Sequence, residues 1–194
     1  MVIIIEGCDN SGKTTIVNSL IKKFPGVMIK LTDRPVDDSL EEQNKIIRHY
    51  IGIIRMIEAY PNFEHVVLDR FFPSEKVYSI KRGYEAMNCP SLKAVEDFII
   101  NCTNHLLILC DPGNKTISDR MKKEPDDYVS EKENLEMLER YRTFFDKTKL
   151  NKIKVDTSKP IEKSLKIIED KINEHKRHPQ SKKGRQTPLF EFQR

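Results

Sequence analysis

The chain of 194 residues is 38% hydrophobic and 33% charged, and it carries a formal net charge of +4. This length suits one domain and is sufficient to bury a sizeable core. No apolar stretch is long enough to cross a membrane, which argues against a membrane-spanning protein. The four cysteines lack the paired CxxC spacing of zinc sites, and the N-terminus lacks the basic region of a signal peptide. We therefore expect a cytoplasmic protein with reduced cysteines.

The first predicted strand is the β-branched run Val2–Ile5, and a segment with helical spacing follows at Thr15–Phe24. Between them, residues 7–14 spell GCDNSGKT and complete the pattern GxxxxGK[ST] of a phosphate-binding loop. In such a strand–loop–helix arrangement, backbone N–H groups and a helix N-terminus face a polyphosphate. The glycines of the loop allow a close approach that a Cβ would obstruct. This segment therefore predicts binding of a nucleoside triphosphate.

Two side chains of this loop have predicted roles in binding ATP and its metal. Lys13 is long enough to reach the β- and γ-phosphates, and the Thr14 hydroxyl is a predicted ligand of Mg²⁺. The predicted ATP-binding residues are Gly7, Asn10, Ser11, Gly12, Lys13, Thr14 and Thr15.

Strand and helix patterns alternate along the rest of the chain. Further strands are predicted at Val27–Leu31, His65–Asp69, Leu106–Cys110 and Ile153–Asp156. Helices are predicted at Asp38–Tyr60, Ser91–Ile100 and Glu131–Phe145, and a last amphipathic helix begins at Pro160. This alternation predicts an α/β fold in which helices cover both faces of a parallel sheet.

The C-terminal segment differs from the rest in charge. Residues 175–194 contain six Lys or Arg and one Glu, a net charge of +5, which leaves about −1 for residues 1–174. Low apolar content and clustered charge predict a mobile basic tail, so we divide the chain into a domain at 1–174 and a tail at 175–194. The tail is a candidate contact for nucleic acid, but a solvated extension is favoured because a basic run alone is weak evidence.

A second motif follows the predicted strand His65–Asp69. The strand ends in Asp69-Arg70, and the carboxyl end of a parallel strand lies at the edge of the sheet where such folds bind ligands. There Asp69 would hold Mg²⁺ or orient an attacking oxygen, while Arg70 would bind a second phosphate. An ordinary ion pair in a surface turn is the alternative. Because the Asp69-Arg70 pair follows a phosphate loop in the chain, a role in phosphoryl transfer is favoured over the ordinary ion pair.

With these residues the chain resembles the thymidylate kinase family of nucleoside monophosphate kinases. Residues 6–15, EGCDNSGKTT, are similar to the family pattern EGxDxxGKTT, and Asp69-Arg70-Phe71 matches its DRY/DRF signature. Weaker matches are Ser74 and Tyr78 to the family's SxxAY, Thr116–Arg120 to the start of its lid, and residues 156–158 to its adenine-side DAS loop. The resemblance covers residues 2–174.

The resemblance implies a P-loop kinase fold, with a five-stranded parallel sheet flanked by helices and a short lid. It also implies an ATP–Mg²⁺ donor site, a dTMP-like acceptor and a homodimer. By the same resemblance, Asp9 would contact the acceptor sugar, Arg70 would bind the acceptor phosphate, and Arg48 and Arg34 are further acceptor candidates. For Arg48, a solvated helix face is an equal alternative.

Aromatic residues beside the Asp-Arg motif are candidates for contact with the acceptor base. Phe72 and Tyr78 flank the motif, although aromatics in such numbers are more often core residues. Ser79 stands where the family often has a glutamine near the base, which weakens any expectation of strict selectivity for thymine.

The chain also departs from the family inside the phosphate loop. Some members have a catalytic arginine where this chain has Asn10, yet the transferring phosphoryl group requires compensating positive charge. The predicted lid carries three cations at Arg120, Lys122 and Lys123, of which Arg120 is the best candidate. The alternative for Arg120 is a charge on a helix surface.

Together these features predict ATP-dependent phosphorylation of a deoxynucleoside monophosphate, with dTMP or a related, 5-substituted pyrimidine as acceptor. Lys13, Arg70 and Arg120 would stabilise charge, and Thr14 and Asp69 would serve the metal. Three alternatives remain open. They are a deoxynucleoside kinase, which needs a general base for its hydroxyl acceptor, a polynucleotide 5′-kinase or nucleic-acid-binding protein that uses the basic tail, and a non-enzymatic nucleotide switch.

Overall fold

The computed structural model describes residues 1–24, 26–30, 37, 39–59, 64–83, 86, 89–125 and 129–177. The strands are β1 (Val2–Glu6), β2 (Val27–Lys30), β3 (Val66–Asp69), β4 (His105–Cys110) and β5 (Lys152–Val155). The helices are α1 (Lys13–Lys23), α2 (Leu40–Ala59), α3 (Phe72–Tyr78), α4 (Pro90–Cys102), α5 (Asn114–Lys123), α6 (Glu131–Lys147) and α7 (Ile161–Arg177), with a 3₁₀ turn at Ser79–Arg82.

The strands form one parallel sheet in the order β2-β3-β1-β4-β5. β1 lies at the centre, and its register pairs Ile5 with Asp69 of β3 and with Ile108 of β4. The carboxyl ends of the three central strands therefore meet at one edge, where β1 continues into the phosphate loop. The predicted α/β fold with a five-stranded parallel sheet and flanking helices is confirmed.

Strand residues alternate between two apolar clusters, one on each face of the sheet. Ile4 and Leu68 face a cluster that includes residues of α2 and α4. Ile3 and Val67 face the opposite cluster, which includes residues of α1 and α7. Burial on both faces explains why the central strands consist almost entirely of apolar, β-branched or leucine residues.

Several elements differ from the sequence-based expectations. α3 and the 3₁₀ turn were not predicted, and Thr116–Arg120, expected to begin a polar lid, lie within the regular helix α5. α7 continues to Arg177, three residues beyond the predicted boundary at 174. The division into a domain and a tail stays a prediction, and residues 178–194 lie outside the described part. Within the described ranges, no helix is both long and apolar enough to span a membrane.

A buried ion pair joins α3 to α4. Lys76 Nζ lies 2.8 Å from Glu96 Oε2, and both side chains are almost fully buried. Thr148 Oγ1 donates to the other oxygen of Glu96 at 2.6 Å. The ammonium also lies 5.5 Å and 5.3 Å from the ring centroids of Phe72 and Phe144. This cluster fixes the helix that follows the Asp-Arg motif.

We expect Lys76→Met to lower the free energy of unfolding by about 3–5 kcal/mol, because the Glu96 carboxylate would remain buried without its cation. Urea denaturation at pH 7 measures this loss. The matched control is Lys93→Met, which removes an exposed partner of Asp97 on α4 and should cost no more than about 1 kcal/mol. Equal losses of unfolding free energy in the two variants would contradict a stabilising role of the buried Lys76–Glu96 pair.

Candidate active site

The phosphate loop is tightly packed against the end of the sheet. Gly7 has φ +150°, and a Cβ there would lie 2.6 Å from Ser11 Oγ and 2.7 Å from the carbonyl oxygen of Cys110. Gly12 has φ +85° and begins α1, a conformation that glycine adopts without steric cost. The first N–H groups of α1 have no partner in the preceding turn, so they are donors for an anion at this end.

Lys13 is folded back over the loop. Its Nζ donates to the carbonyl oxygen of Cys8 at 2.6 Å and to Ser11 Oγ at 3.4 Å. Burial, and secondarily the positive charge of Arg70, lower the pKa of Lys13 to about 8. Thr14 and Thr15 follow as exposed residues of α1. The structure thus brings the predicted ATP-binding residues together at the carboxyl edge of the sheet.

Arg70 follows β3 in a left-handed backbone conformation, with φ +69°. For a residue with a Cβ this conformation costs on the order of 1–3 kcal/mol and persists only where neighbours fix it. Here the Arg70 N–H donates to the carbonyl of Ile5 at 3.1 Å, and the next N–H, of Phe71, donates to Glu6 Oε1 at 2.7 Å. β1 therefore holds the strained turn from both sides.

The guanidinium of Arg70 lies between the phosphate loop and α3. Its Nη2 donates to Asp9 Oδ1 at 2.5 Å, and Nη1 lies within 3.3 Å of the Gly7 carbonyl and of Ser74 Oγ. The Tyr78 hydroxyl donates to the second oxygen of Asp9 at 3.0 Å. The structure therefore unites Asp9, Arg70 and Tyr78, three of the predicted acceptor-binding residues.

Glu6 and Tyr141 lie behind this cluster. The buried carboxylate of Glu6 accepts from Ser74 Oγ at 2.7 Å and from the Tyr141 hydroxyl at 3.1 Å, besides Phe71. Burial raises the pKa of Glu6, against the lowering effects of the Arg70 charge and of these donors. Tyr141 Oη also accepts from Arg70 Nη1 at 3.1 Å. No motif marks Tyr141, which lies on α6, so sequence reasoning missed it.

Arg120 extends from α5 to the phosphate loop. It donates to the carbonyl of Asn10 at 2.9 Å and to that of Thr157, in the loop after β5, at 2.6 Å. Thr157 in turn donates to the carbonyl of Ser11 at 2.5 Å. Asn10, at φ +58°, is also bonded through Nδ2 to the carbonyl of Glu124. Arg120 thus reaches the site, and its catalytic role stays a prediction.

Three other predicted acceptor-binding residues are Phe72, Arg48 and Arg34. Phe72 is fully buried in the core, with its ring centroid 5.4 Å from that of Phe71 and 6.0 Å from that of Phe144. Arg48 is exposed on α2 and has no ion-pair partner among the described residues. Arg34 lies outside the described part of the chain. The structure therefore places Phe72 in the core, and the acceptor role of Arg48 stays a prediction.

The predicted metal ligands are Thr14, at the start of α1, and Asp69, buried at the end of β3. Within the described ranges, no group of three or more His, Cys, Asp or Glu forms a metal site. A hydroxyl and one carboxylate fit Mg²⁺, which keeps several water ligands and takes further oxygens from substrate phosphates.

We expect polyphosphate binding to take up protons at alkaline pH, because about half of Lys13 is uncharged at pH 8 before binding and phosphate favours the ammonium form. Uptake should rise from near zero at pH 7 towards about one proton at pH 9, and affinity should fall over the same range. The number of protons taken up is measured by calorimetry with Mg-ATP in buffers of different ionisation enthalpy. Lys13→Arg stays charged and should abolish the uptake; the same uptake in both proteins would refute this origin.

Three solved structures share the fold. The YorR protein of Bacillus subtilis, in complex with phosphorylated GDP, is 23% identical, with a TM-score of 0.72 over 92% of this chain and 98% of that one. Thymidylate kinase of Candida albicans is 16% identical, with a TM-score of 0.64 over 91% and 92%. Deoxyadenosine kinase of M. mycoides, with dCMP and dCDP bound, is 19% identical, with a TM-score of 0.56 over 90% and 100%.

No protein-family model and no curated protein matches the chain. The three solved structures agree with it over nearly its whole length, and the predicted resemblance is confirmed for the fold. The chain has the fold of the P-loop nucleoside monophosphate kinases.

Proposed function

We propose that the protein transfers a phosphoryl group from ATP to a deoxynucleoside monophosphate, with dTMP or a 5-substituted pyrimidine relative as the acceptor. The observation that carries this proposal is the Asp9–Arg70–Tyr78 cluster, which lies directly beside the phosphate loop. A donor site and a second anion site thus share one edge of the sheet.

The donor half of the proposal rests on the phosphate loop. The N–H groups at the start of α1 bind the phosphates, and Lys13 moves from the Cys8 carbonyl to the β- and γ-phosphates. Thr14 and Asp69 would hold Mg²⁺, which when bound neutralises charge on the phosphate oxygens. Arg120, already at the Asn10 carbonyl, lies within the same region and supplies a further cation.

The acceptor half rests on Arg70. Its guanidinium retains N–H donors, that of Nε and the second of Nη2, for which no described residue is an acceptor. They are available to an acceptor phosphate. The Asp9 carboxylate, between Arg70 and Tyr78, is the group that would accept a hydrogen bond from the acceptor sugar. A monophosphate already carries an oxyanion nucleophile, so positioning and charge neutralisation supply most of the rate.

Two of the similar structures point to different classes of acceptor. Thymidylate kinase supports a monophosphate, whereas deoxyadenosine kinase supports a nucleoside. A nucleoside hydroxyl needs a general base, and Asp69 at the end of β3 is the residue that would act there. Homodimeric assembly and a cytoplasmic location complete the proposal; they come from the family resemblance and from the composition.

The acceptor class is tested with ATP and a panel of nucleosides and monophosphates, with nucleotide products separated by chromatography. We expect dTMP, dUMP or their 5-substituted analogues to become diphosphates. Phosphorylation of thymidine or deoxyadenosine instead would establish the nucleoside kinase, and no transfer to any of these pyrimidine monophosphates would refute the proposal. A chain ending at Arg177, which keeps α7 complete, should turn over mononucleotides unchanged; loss of activity would favour the tail-dependent alternative.

The role of Arg70 is tested with Arg70→Lys. We expect kcat/KM for the acceptor to fall about 10²–10³-fold, because an ammonium cannot bridge Asp9 and a phosphate as a guanidinium does. The KM for ATP should change little, since the phosphate loop is intact. Lys93→Arg, the reverse exchange of the same two side-chain types at an exposed residue of α4, serves as the control. Unchanged acceptor kinetics in Arg70→Lys would contradict the proposed role of Arg70.

A further inference from the structure

One buried amide from α6 binds the main chain of the phosphate loop in both directions. The N–H of Asp9 donates to Asn134 Oδ1 at 3.1 Å, and Asn134 Nδ2 donates to the carbonyl of Asp9 at 2.8 Å. The two residues are 125 positions apart, and Asn134 is completely buried. A carboxamide presents a donor and an acceptor in one plane, so it satisfies both groups of a single residue.

The first hydrogen bond orients the peptide between Cys8 and Asp9. In a planar trans peptide the N–H and C=O groups point in opposite directions. Because the N–H of Asp9 points to Asn134, the carbonyl of Cys8 points to the other side of the loop. There it accepts from Lys13 Nζ at 2.6 Å. Asn134 and Lys13 thus bind opposite sides of one peptide.

The second hydrogen bond orients the peptide between Asp9 and Asn10. Since the carbonyl of Asp9 points to Asn134, the N–H of Asn10 points away from α6. The Cα of Asp9 lies between the two oriented peptides, which directs its carboxylate towards Arg70 and Tyr78. The rarely occupied φ of +58° at Asn10 is thereby fixed on its N-terminal side.

We propose that Asn134 is a positioning residue of the phosphate loop, which sets the two peptides around Asp9 and so places Lys13 for the donor and Asp9 for the acceptor. This inference rests on the proposed function, because that function assigns those roles to Lys13 and Asp9. Tyr141, two turns later on α6, reaches Arg70 from the same helix. Helix α6 therefore contacts both the phosphate loop, through Asn134, and Arg70, through Tyr141.

The test compares Asn134→Leu and Asn134→Ala with Phe144→Leu. Both Asn134 variants remove the two hydrogen bonds, and the smaller one remains usable if the larger does not fold. Phe144 is a buried residue of the same helix that packs against Phe72 in the apolar cluster on the α2 and α4 side of the sheet, so its truncation loosens the packing of α6 without touching these hydrogen bonds. Each protein is characterised by its Tm, by hydrogen exchange of residues 8–10 without ligand, by the Kd for Mg-ATP, and by kcat and KM.

In the Asn134 variants we expect amide exchange at Asp9 at least ten times faster, and Mg-ATP binding and acceptor kcat/KM each at least tenfold weaker. Phe144→Leu should lower Tm comparably and change Kd and kcat/KM less than twofold. The proposal is overturned if the Asn134 variants bind and react like the unaltered protein, or if all three variants lose activity in proportion to Tm. If the unaltered protein binds no ATP, the proposed function fails, whereas unchanged exchange at Asp9 would overturn the orienting role by itself.

Discussion

The register between β1 and β3 is the constraint on which the rest of the site depends. Ile5 pairs with Asp69, so the two strands end at the same level and the N–H of Arg70 returns to the carbonyl of Ile5. A slip of one residue would turn every side chain of β3 to the other face of the sheet. It would also remove Arg70 from Asp9, which lies in the loop after β1. The apolar clusters on both faces prevent such a slip, because each takes alternate strand residues.

This register creates a strained turn that the surrounding polar network must hold. The left-handed Arg70 would relax to an extended conformation if the N–H of Phe71 lost its acceptor. Glu6 is that acceptor, and it lies on the strand that also carries the phosphate loop. The carboxylate is buried, with a raised pKa, and it remains tolerable there because Ser74 and Tyr141 donate to it. The backbone strain at Arg70 and the buried carboxylate of Glu6 therefore both lie in the site itself, and packing of the apolar core stabilises the conformation that contains them.

The sequence predicts those parts of the site that follow from local patterns. Strand runs, the glycine loop and the acidic-basic pair at a strand end each have a signature in consecutive residues. Asn134 and Tyr141 have none, because they bind partners 125 and 135 positions away from within an ordinary amphipathic helix. For Phe72, by contrast, a local signature led to the wrong location. An aromatic beside a motif faces either the core or the ligand, and only the path of α3 decides that it packs on Phe71 and Phe144.

The electrostatics of the site agree with the two neighbouring anions that the proposed function requires. Lys13 is buried and Arg70 is half-buried, and the charge of Arg70 contributes to the lowered pKa of Lys13. Asp9 neutralises Arg70 at 2.5 Å, whereas the hydrogen bonds of Lys13 to described residues go only to neutral oxygens, those of Cys8 and Ser11. A polyphosphate would supply the missing negative charge at Lys13, and the remaining donors of Arg70 would accommodate a second phosphate. Residues 8–10 separate the two cations, so in the proposed function the conformation of this one segment would determine the position of both anions.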